Sequence, residues 1–445
     1  MEDNIQTPLQ EQPEPKRKNV FRNRNYTLTF LGALVSNIAS LFYSFAVSFY
    51  ILKITGNNAL IQGLYLAIGG VTFCIVTLFG GVVADRFNKA KIMYICDYLK
   101  GAIIIGFTLF LMFVIKTTTW QVVALFIVNF LGNAIAGLFA PASNALIPQI
   151  VEEDQFQQAQ SYFSILSSFQ SIVGVVLAGV LYTLIPINVL FFIVGGCYLL
   201  SAISEMFIKY DSSFEKRDEK LNVKIVFYDI KDGFKYLASI KALLAMMICI
   251  LFINFFFTPI FDNFTPFFIA TDITGSNYLF HDKMAPEMWS SFFSVAVGVG
   301  SLIMGIIISG LRQAEKCNRT VRWSMLAVSA LVILMVVFYA LFKNNVVGIN
   351  FLLIAIIVIL FLLGGTIVLI NIPSAAAMMK IVDKDKLGKV SSVTQIGSQG
   401  LTPLAMFLGG VALTYINSIG LLALCAGGLL ITSLVLFFIP SVREI

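Results

Sequence analysis

The feature that most constrains this chain is a recurrence of apolar segments about 20 residues long or longer, the length that a helix needs to cross a bilayer. Twelve can be placed along the 445 residues, at 26–52, 59–84, 92–115, 121–143, 162–185, 187–208, 242–267, 289–311, 322–342, 349–372, 391–415 and 418–439. Only 12% of the residues are charged, about half the share of a soluble domain. The sequence therefore predicts an all-α membrane protein with twelve transmembrane helices.

Basic residues are distributed unequally between the loops on the two sides of the predicted bundle. An even number of spans places both termini on one side, and that side carries 25 of the 30 lysines and arginines. The other side carries four, at Lys53, Lys116, Lys283 and Lys343. By the positive-inside rule, both termini of this multi-pass protein are predicted to be cytoplasmic, in the cell membrane. Because the bias explains the net charge of +6, no nucleic-acid partner is needed.

The longest hydrophilic stretch divides the spans into two groups of six. The predicted organisation is a cytoplasmic tail (1–25), an N-terminal six-helix half (26–208), a cytoplasmic linker (209–241), a C-terminal six-helix half (242–439) and a short cytoplasmic tail (440–445). Within the linker, apolar residues recur at helical spacing from Val223 to Leu237. This spacing predicts an amphipathic helix that lies on the membrane surface.

The two halves are related by an internal repeat. Residues 150–161 (IVEEDQFQQAQS) align with 381–392 (IVDKDKLGKVSS), and residues 179–185 (GVLYTLI) align with 410–416 (GVALTYI). Upstream, Gly132 matches Gly364 and Pro141 matches Pro373. Span four thus corresponds to span ten, and span five to span eleven. Because six spans separate each pair, the repeats have the same orientation in the membrane.

A charged loop between spans two and three carries a motif, GVVADRFNKAK at residues 81–91. Gly81 is expected to let two helices approach closely. Asp85 can accept hydrogen bonds from the N-terminus of another helix, and Arg86 can pair with an acid on a neighbouring loop. Lys89 is the next basic residue of the motif, and Asn88 is a residue type that tolerates a left-handed backbone.

This motif resembles the signature loop of the major facilitator superfamily, G-x-x-x-D-R-x-G-R-K, with Asn88 at the second glycine. Residues after spans four and ten, together with Asp97 and Lys100, look like the macrolide-efflux branch of proton-coupled drug exporters. The resemblance implies the twelve-helix fold of two parallel-repeat halves and secondary active export. It also implies that Asp85 meets the start of span eleven, near Ser391, in the outward-facing state. A siderophore or lysophospholipid substrate stays open, since the branch includes such transporters.

Four ionisable side chains fall within the predicted spans, where charges are costly and functional by default. Asp97 and Lys100 are three residues apart in span three and can pair on one helix face. They are either a structural gate charge or a proton-coupling site. Glu205 lies one turn from the end of span six, where it either extends to the cytoplasm or takes part in coupling. Asp262 lies between Pro259 and Pro266 in span seven and is a further proton-site candidate.

Residues that line the cavity of this fold come from spans one, four, seven and ten. The candidates for substrate contact are Asn37, Tyr43, Asn133, Asn254 and Asn371. Amides, hydroxyls and many phenylalanines at mid-depth favour a small amphipathic ligand. Each asparagine is alternatively an interhelical hydrogen bond.

Other function classes have little support in the sequence. The chain has a single histidine, His281, so neither a metal site nor an enzyme active site is predicted. No GxxxxGK[ST] sequence occurs, so a proton gradient, not ATP or a bound cofactor, is the expected energy source. The expected partners are the lipid bilayer and the substrate, with the chain as a monomer. A membrane sensor that transports nothing stays an alternative.

Overall fold

The structure is a computed structural model that describes residues 19–114, 117–152, 155–209, 231, 234–274, 276–310, 317–381, 394 and 397–438. Within these residues, the regular secondary structure is entirely helical. Eleven of the described helices are long and apolar enough to cross a membrane, and α11 occupies the position of the remaining predicted span. The helices are α1 (Arg24–Ile54), α2 (Ala59–Arg86), α3 (Lys89–Phe113), α4 (Thr118–Ile150), α5 (156–184), α6 (Ile187–Met206), α7 (241–273), α8 (Met288–Gly310), α9 (Cys317–Lys343), α10 (Ile349–Ile381), α11 (Thr402–Tyr415) and α12 (Ser418–Phe438). Most of the predicted linker, and residues 391–393 at the predicted start of span eleven, lie outside the described residues.

Asparagine side chains set several of the helix starts. Asn23 accepts hydrogen bonds from the Asn25 and Tyr26 amides at the start of α1, and Asn58 accepts one from Ile61 at the start of α2. Such caps satisfy backbone donors that have no partner in the first turn. The turns after α1, α9 and α11 each use an asparagine with positive φ, at Asn57, Asn345 and Asn417. Asparagine tolerates this conformation better than most residues.

The repeat is visible in the helices themselves. α4 and α10 are each 33 residues long, and both their first and last residues differ by 231 in number. In the N-terminal half α2 packs against α4, and in the C-terminal half α8 packs against α10. A Cβ atom added at Gly80 would overlap the Gly137 carbonyl, and one added at Gly364 would overlap the Val297 carbonyl. Backbones therefore touch at equivalent helix pairs of both halves.

Several of the described contacts between the halves lie near one face of the bundle. We call this the far face, because it is opposite the terminal face, where α1 begins and α12 ends. Gly63 of α2 meets Gly410 of α11, with a Cβ atom at Gly63 only 2.8 Å from the Gly410 Cα. The Ser291 hydroxyl of α8 donates to the Val175 carbonyl of α5 at 2.8 Å. These contacts close the far face of the bundle.

Two helices are interrupted by π-helical turns. The turn in α5 is Gln170–Gly174, and those in α7 are Ile260–Phe264 and Ile269–Ile273. Pro266 lacks the N–H that would bond the Asp262 carbonyl in a regular helix, and that carbonyl instead accepts the Gln62 side-chain amide at 3.3 Å. The prolines of α7 thus free a carbonyl that another helix satisfies.

Residues 19–25, which are predicted to belong to the N-terminal tail, pack against the bundle. Val20 is completely buried within the turn Val20–Arg22. Its amide donates to Gln158 Oε1 at 3.3 Å, and the Tyr26 hydroxyl donates to the Ala159 carbonyl at 3.1 Å. Hydropathy misses this segment because its polar and basic residues mask one buried valine and an aromatic cluster.

We expect Gly364→Ala to destabilise the protein by about 1 to 3 kcal/mol, because the added methyl group has no space against the Val297 carbonyl. The matched control is Gly427→Ala in α12, where an added Cβ meets nothing within 4 Å. Thermal unfolding in detergent, followed by tryptophan fluorescence, measures both variants. Equal melting temperatures for the two variants would contradict the close approach of α8 and α10.

Candidate functional site

Three ionisable side chains come together inside the N-terminal half, and we call Asp97, Lys100 and Glu205 the charged cluster. Asp97 and Glu205 are completely buried. Their four carboxylate oxygens have no hydrogen-bond partner among the described residues. Lys100 interacts electrostatically with both carboxylates. The cluster therefore joins α3 to α6 through charge, in a region that lipid surrounds.

Glu205 is positioned by the packing of α6 against α1. The Ser201 hydroxyl donates to the Gly32 carbonyl at 3.0 Å, and the Ser204 hydroxyl donates to the Leu28 carbonyl at 3.1 Å. A Cβ atom at Gly32 would lie 3.0 Å from Glu205 Cγ, so the glycine makes room for the acid. The alternative in which Glu205 extends to the cytoplasm is wrong, because its side chain points into the bundle.

Lys100 turns its ammonium group towards two aromatic rings. Its Nζ lies 5.5 Å from the centroid of the Phe139 ring and 5.3 Å from that of the Tyr198 ring. Both distances are within the range of a cation–π interaction. The rings come from α4 and α6, so the ammonium lies between two helices that flank its own.

Lys100 also lines a cavity of about 350 Å³ whose wall comes from the N-terminal half except for Met406 of α11, and we call it the N-half cavity. Its polar lining consists of hydroxyl and amide groups from Ser40, Tyr43, Ser44, Ser48, Gln62, Tyr65, Asn129, Asn133 and Tyr198. Lys100 is the one charged side chain among its lining residues. Asp97 and Glu205 lie behind the wall and do not line it.

The asparagines of α4 form an ordered part of this wall. Asn129 donates to the Tyr65 carbonyl at 2.6 Å, and Asn133 donates to Asn129 Oδ1 at 2.8 Å. A Cβ atom at Gly69 would lie 2.8 Å from both side chains. Asn133 is a predicted site residue, whereas Asn129 and Gln62 are not among the residues predicted for the site. The sequence signal for Asn129 is its spacing of four residues from Asn133, opposite a Gly-Gly pair in α2.

Among the predicted cavity residues, the structure brings only Tyr43 and Asn133 to the N-half cavity. Asn254 donates to the Ser398 carbonyl at 3.0 Å, so it joins α7 to residues before α11. Asn37 and Asn371 are exposed on α1 and α10. The five residues thus do not form a single site.

A second cavity, of about 800 Å³, lies between the two halves, and we call it the central cavity. It is lined by residues of α1, α5, α7, α8 and α10: Leu41, Ser168, Ser171, Val175, Phe261, Ser294, Val297, Gly298, Ser301, Leu302, Gly305, Ile306 and Val368. Aliphatic side chains with a few hydroxyls suit an amphipathic ligand.

Asp262 is separate from the charged cluster. It lies in the first π turn of α7, in the C-terminal half, and its side chain is partly buried. It lines neither of the two cavities. Its backbone, however, joins the halves through Gln62.

The structure changes the interpretation of the motif at the end of α2. Gly81 meets nothing within 4 Å at its Cβ position, so the prediction that it permits close approach is wrong, and the neighbouring Gly80 has that role against Gly137. Asn88 has φ of −57° and caps α3 by accepting the Lys91 amide, so it is not left-handed. Lys89 is buried and Arg86 ends α2. The Asp85 side chain lies outside what the structure describes.

The charged cluster occurs in one half only. The offset of 231 places Val328 and Leu436 at the positions of Asp97 and Glu205, and both are buried in the hydrophobic core of the C-terminal half. The repeat therefore preserves the packing of the helices but not the charges.

The same arrangement of helices occurs in solved transporters. A bacterial homologue of the iron transporter ferroportin, in its inward-facing state, superposes with a TM-score of 0.69 at 14% identity, over 94% of this chain and 99% of that chain. The peptide transporter POT in complex with sulfate superposes with a TM-score of 0.67 at 13% identity, over 97% of each chain. At such identities the likeness shows the fold alone.

Proteins that are similar to this chain in sequence also carry the names of transport proteins. The uncharacterized MFS-type transporter YkuC of Bacillus subtilis is 26% identical over 440 residues, which cover 95% of this chain and 93% of the relative. Macrolide efflux protein A of Streptococcus pyogenes is 24% identical over 245 residues, or 55% of this chain and 58% of that protein. A family model described as Major Facilitator Superfamily matches residues 2–137 and 30–406. The chain belongs to the Major Facilitator Superfamily.

Proposed function

We propose that this chain is a secondary active transporter that exports a small amphipathic molecule from the cell in exchange for protons. The observation that carries the proposal is the charged cluster. Two buried carboxylates share one ammonium group, and a single positive charge can neutralise only one of them. In a low-dielectric region an uncompensated charge is costly, so the second carboxylate is expected to carry a proton that can be exchanged.

Export of an amphipathic molecule is supported by two further observations. Macrolide efflux protein A is among the relatives of this chain. The central cavity combines aliphatic side chains with serine hydroxyls, which suits a ligand with a large apolar surface and few polar groups. A sugar phosphate or dicarboxylate would need several basic groups, and the lining residues of this cavity include none.

The contacts at the far face support alternating access. The halves meet through small residues there, at Gly63, Gly410 and Ser291. Flat contacts of this kind can separate when one half rotates against the other. In the membrane orientation that we infer, with cytoplasmic termini, the central cavity takes up substrate from the inside and releases it outside after this contact opens.

We expect Asp97→Asn and Glu205→Gln each to lower proton-driven efflux at least tenfold, because an amide cannot bind and release a proton. Uptake of radiolabelled erythromycin into everted membrane vesicles, driven by an imposed pH gradient, measures this. Exchange of labelled for unlabelled erythromycin without a gradient should persist, since it needs no net proton movement. The control is Asp282→Asn, because this acid is 82% exposed in a loop at the far face.

Asp262→Asn separates the two candidate sites for coupling. If this variant alone abolishes gradient-driven uptake, while both cluster variants retain it, the proton site is in α7 and the charged cluster is structural. If no variant affects uptake and a protonophore has no effect either, the proposal that protons are exchanged is wrong.

We expect Gly410→Leu to favour the state that is open at the far face, because leucine does not fit against Gly63. The readout is a single cysteine at position 182, introduced as Tyr182→Cys after the native cysteines are replaced by serine. Tyr182 packs against the core of the other half, so its exposure reports separation of the halves. Labelling of intact cells with a membrane-impermeant maleimide should become at least fivefold faster.

The matched control is Gly106→Leu, since Gly106 has open space at its Cβ position and should leave the labelling rate unchanged. An unchanged rate in Gly410→Leu would show that the contact between α2 and α11 does not control access from this face.

A further inference from the structure

Lys100 occupies a place in the N-half cavity that would suit a ligand. Its ammonium lies over two ring faces, 5.5 Å from the Phe139 centroid and 5.3 Å from the Tyr198 centroid. Converging aromatic faces are a common way to bind substituted ammonium ions. Tyr198 lines the N-half cavity, and Phe139 follows the lining residue Ala136 on α4 without lining the cavity itself. At the edge of this cavity, the lysine therefore fills an aromatic site for cations with a cation from the protein itself.

The Lys100 ammonium can also take a second position, close to the carboxylates of the charged cluster. Asp97 is one helical turn away on α3, and Glu205 faces α3 from α6; both are completely buried and neither forms a hydrogen bond with Lys100 in the described structure. A lysine side chain has four methylene groups and rotates freely at its end. Lys100 can thus lie over the rings or turn towards the carboxylates.

The charge of the carboxylates decides between these two places. With one acid ionised and the other protonated, a single negative charge leaves the ammonium over the rings. When the second acid also loses its proton, two buried negative charges attract Lys100, because an uncompensated buried charge is costly. The other titratable groups that face the cluster are Cys96 of α3, Cys197 and Tyr198 of α6, Tyr43 of α1 and Tyr65 of α2. None of them supplies a second cation.

We propose that Lys100 competes with an organic cation for the aromatic site formed by Phe139 and Tyr198, so that loss of a proton from the charged cluster makes room for the cation. This inference rests on the proposed function and deepens it by naming the substrate class, an amphipathic organic cation. Proton and substrate then exclude each other without touching the same atoms, which is what exchange requires.

The size of the cavity limits what binds there. About 350 Å³ is at the lower end of the range for small-molecule sites. It accommodates a cationic head with its nearest apolar substituents. The larger part of a bulky substrate extends elsewhere, for which the central cavity has the volume.

The test is binding of radiolabelled tetrapropylammonium to the purified full-length protein in detergent, by equilibrium dialysis at pH 5.5 and pH 8.5. This probe carries a permanent charge, so any pH dependence belongs to the protein. We expect the Kd of the unmodified protein to be at least tenfold lower at pH 8.5. Asp97→Asn combined with Glu205→Gln should bind weakly at both pH values, because Lys100 then stays over the rings.

Lys100→Met is the decisive variant. It should bind at pH 5.5 at least tenfold more tightly than the unmodified protein does, because the rings are free at every pH. Phe139→Leu should weaken binding at both pH values, and Lys53→Met, at an exposed lysine at the end of α1, is the control. Weaker binding of the cation to Lys100→Met at both pH values would overturn the proposal. So would tight binding of hexanoate that depends on Lys100, since Lys100 would then be the ligand for an anion.

These outcomes are distinct from failure of the proposed function. The binding experiment uses no membrane and no gradient, so pH-dependent binding with the predicted variant pattern stands even if the vesicles show no proton-driven transport. Conversely, proton-driven efflux together with pH-independent binding would leave the exporter in place and remove the role of Lys100.

Discussion

Every part of this structure depends on the absence of water around the spans, because backbone groups in hydrocarbon must find partners within the protein. Regular helices satisfy most of them. Where α7 departs from regularity, Thr265 and Thr274 donate to the carbonyls of Ile260 and Ile269 at 2.9 and 3.0 Å. Polar contacts between helices follow the same rule, since Ser201 and Asn129 donate to backbone carbonyls of neighbouring helices. Against this background, the carboxylates of Asp97 and Glu205 differ, since they are buried without hydrogen bonds and have Lys100 as an electrostatic partner.

The internal repeat and the charged cluster differ in how they are distributed between the two halves. Equivalent helix pairs in both halves pack backbone to backbone, and this symmetry allows two similar rigid bodies to move against each other. The charged cluster, in contrast, is not repeated, since Val328 and Leu436 stand at the positions of its two acids in the other half. The packing of the helices therefore follows the repeat, whereas the buried charges do not.

Hydropathy predicted the twelve spans, and the repeat predicted which helices correspond, because lipid and length constrain both strongly. The sequence did not predict which way a side chain points around its helix. The sequence predicts Glu205 near the membrane surface. Its side chain instead points into the bundle, because Ser201 and Ser204 hold this face of α6 against α1. Gly80 and Gly81 are adjacent and of the same residue type, so only the position of α4 shows that Gly80 is the one in the helix contact. Asn129, Gln62 and the two rings around Lys100 come from separate helices, so their proximity is a property of packing.

The burial of Val20 has a consequence for how the chain is made. Its amide bonds to Gln158, 138 residues later, and Tyr26 bonds to Ala159. Synthesis at about 5 to 20 residues per second means that the first turn leaves the ribosome roughly 7 to 28 s before its partners exist. During that interval the first four spans enter the membrane without their final attachment at the terminal face. The amino-terminal segment can therefore dock only after the start of α5 has been synthesised.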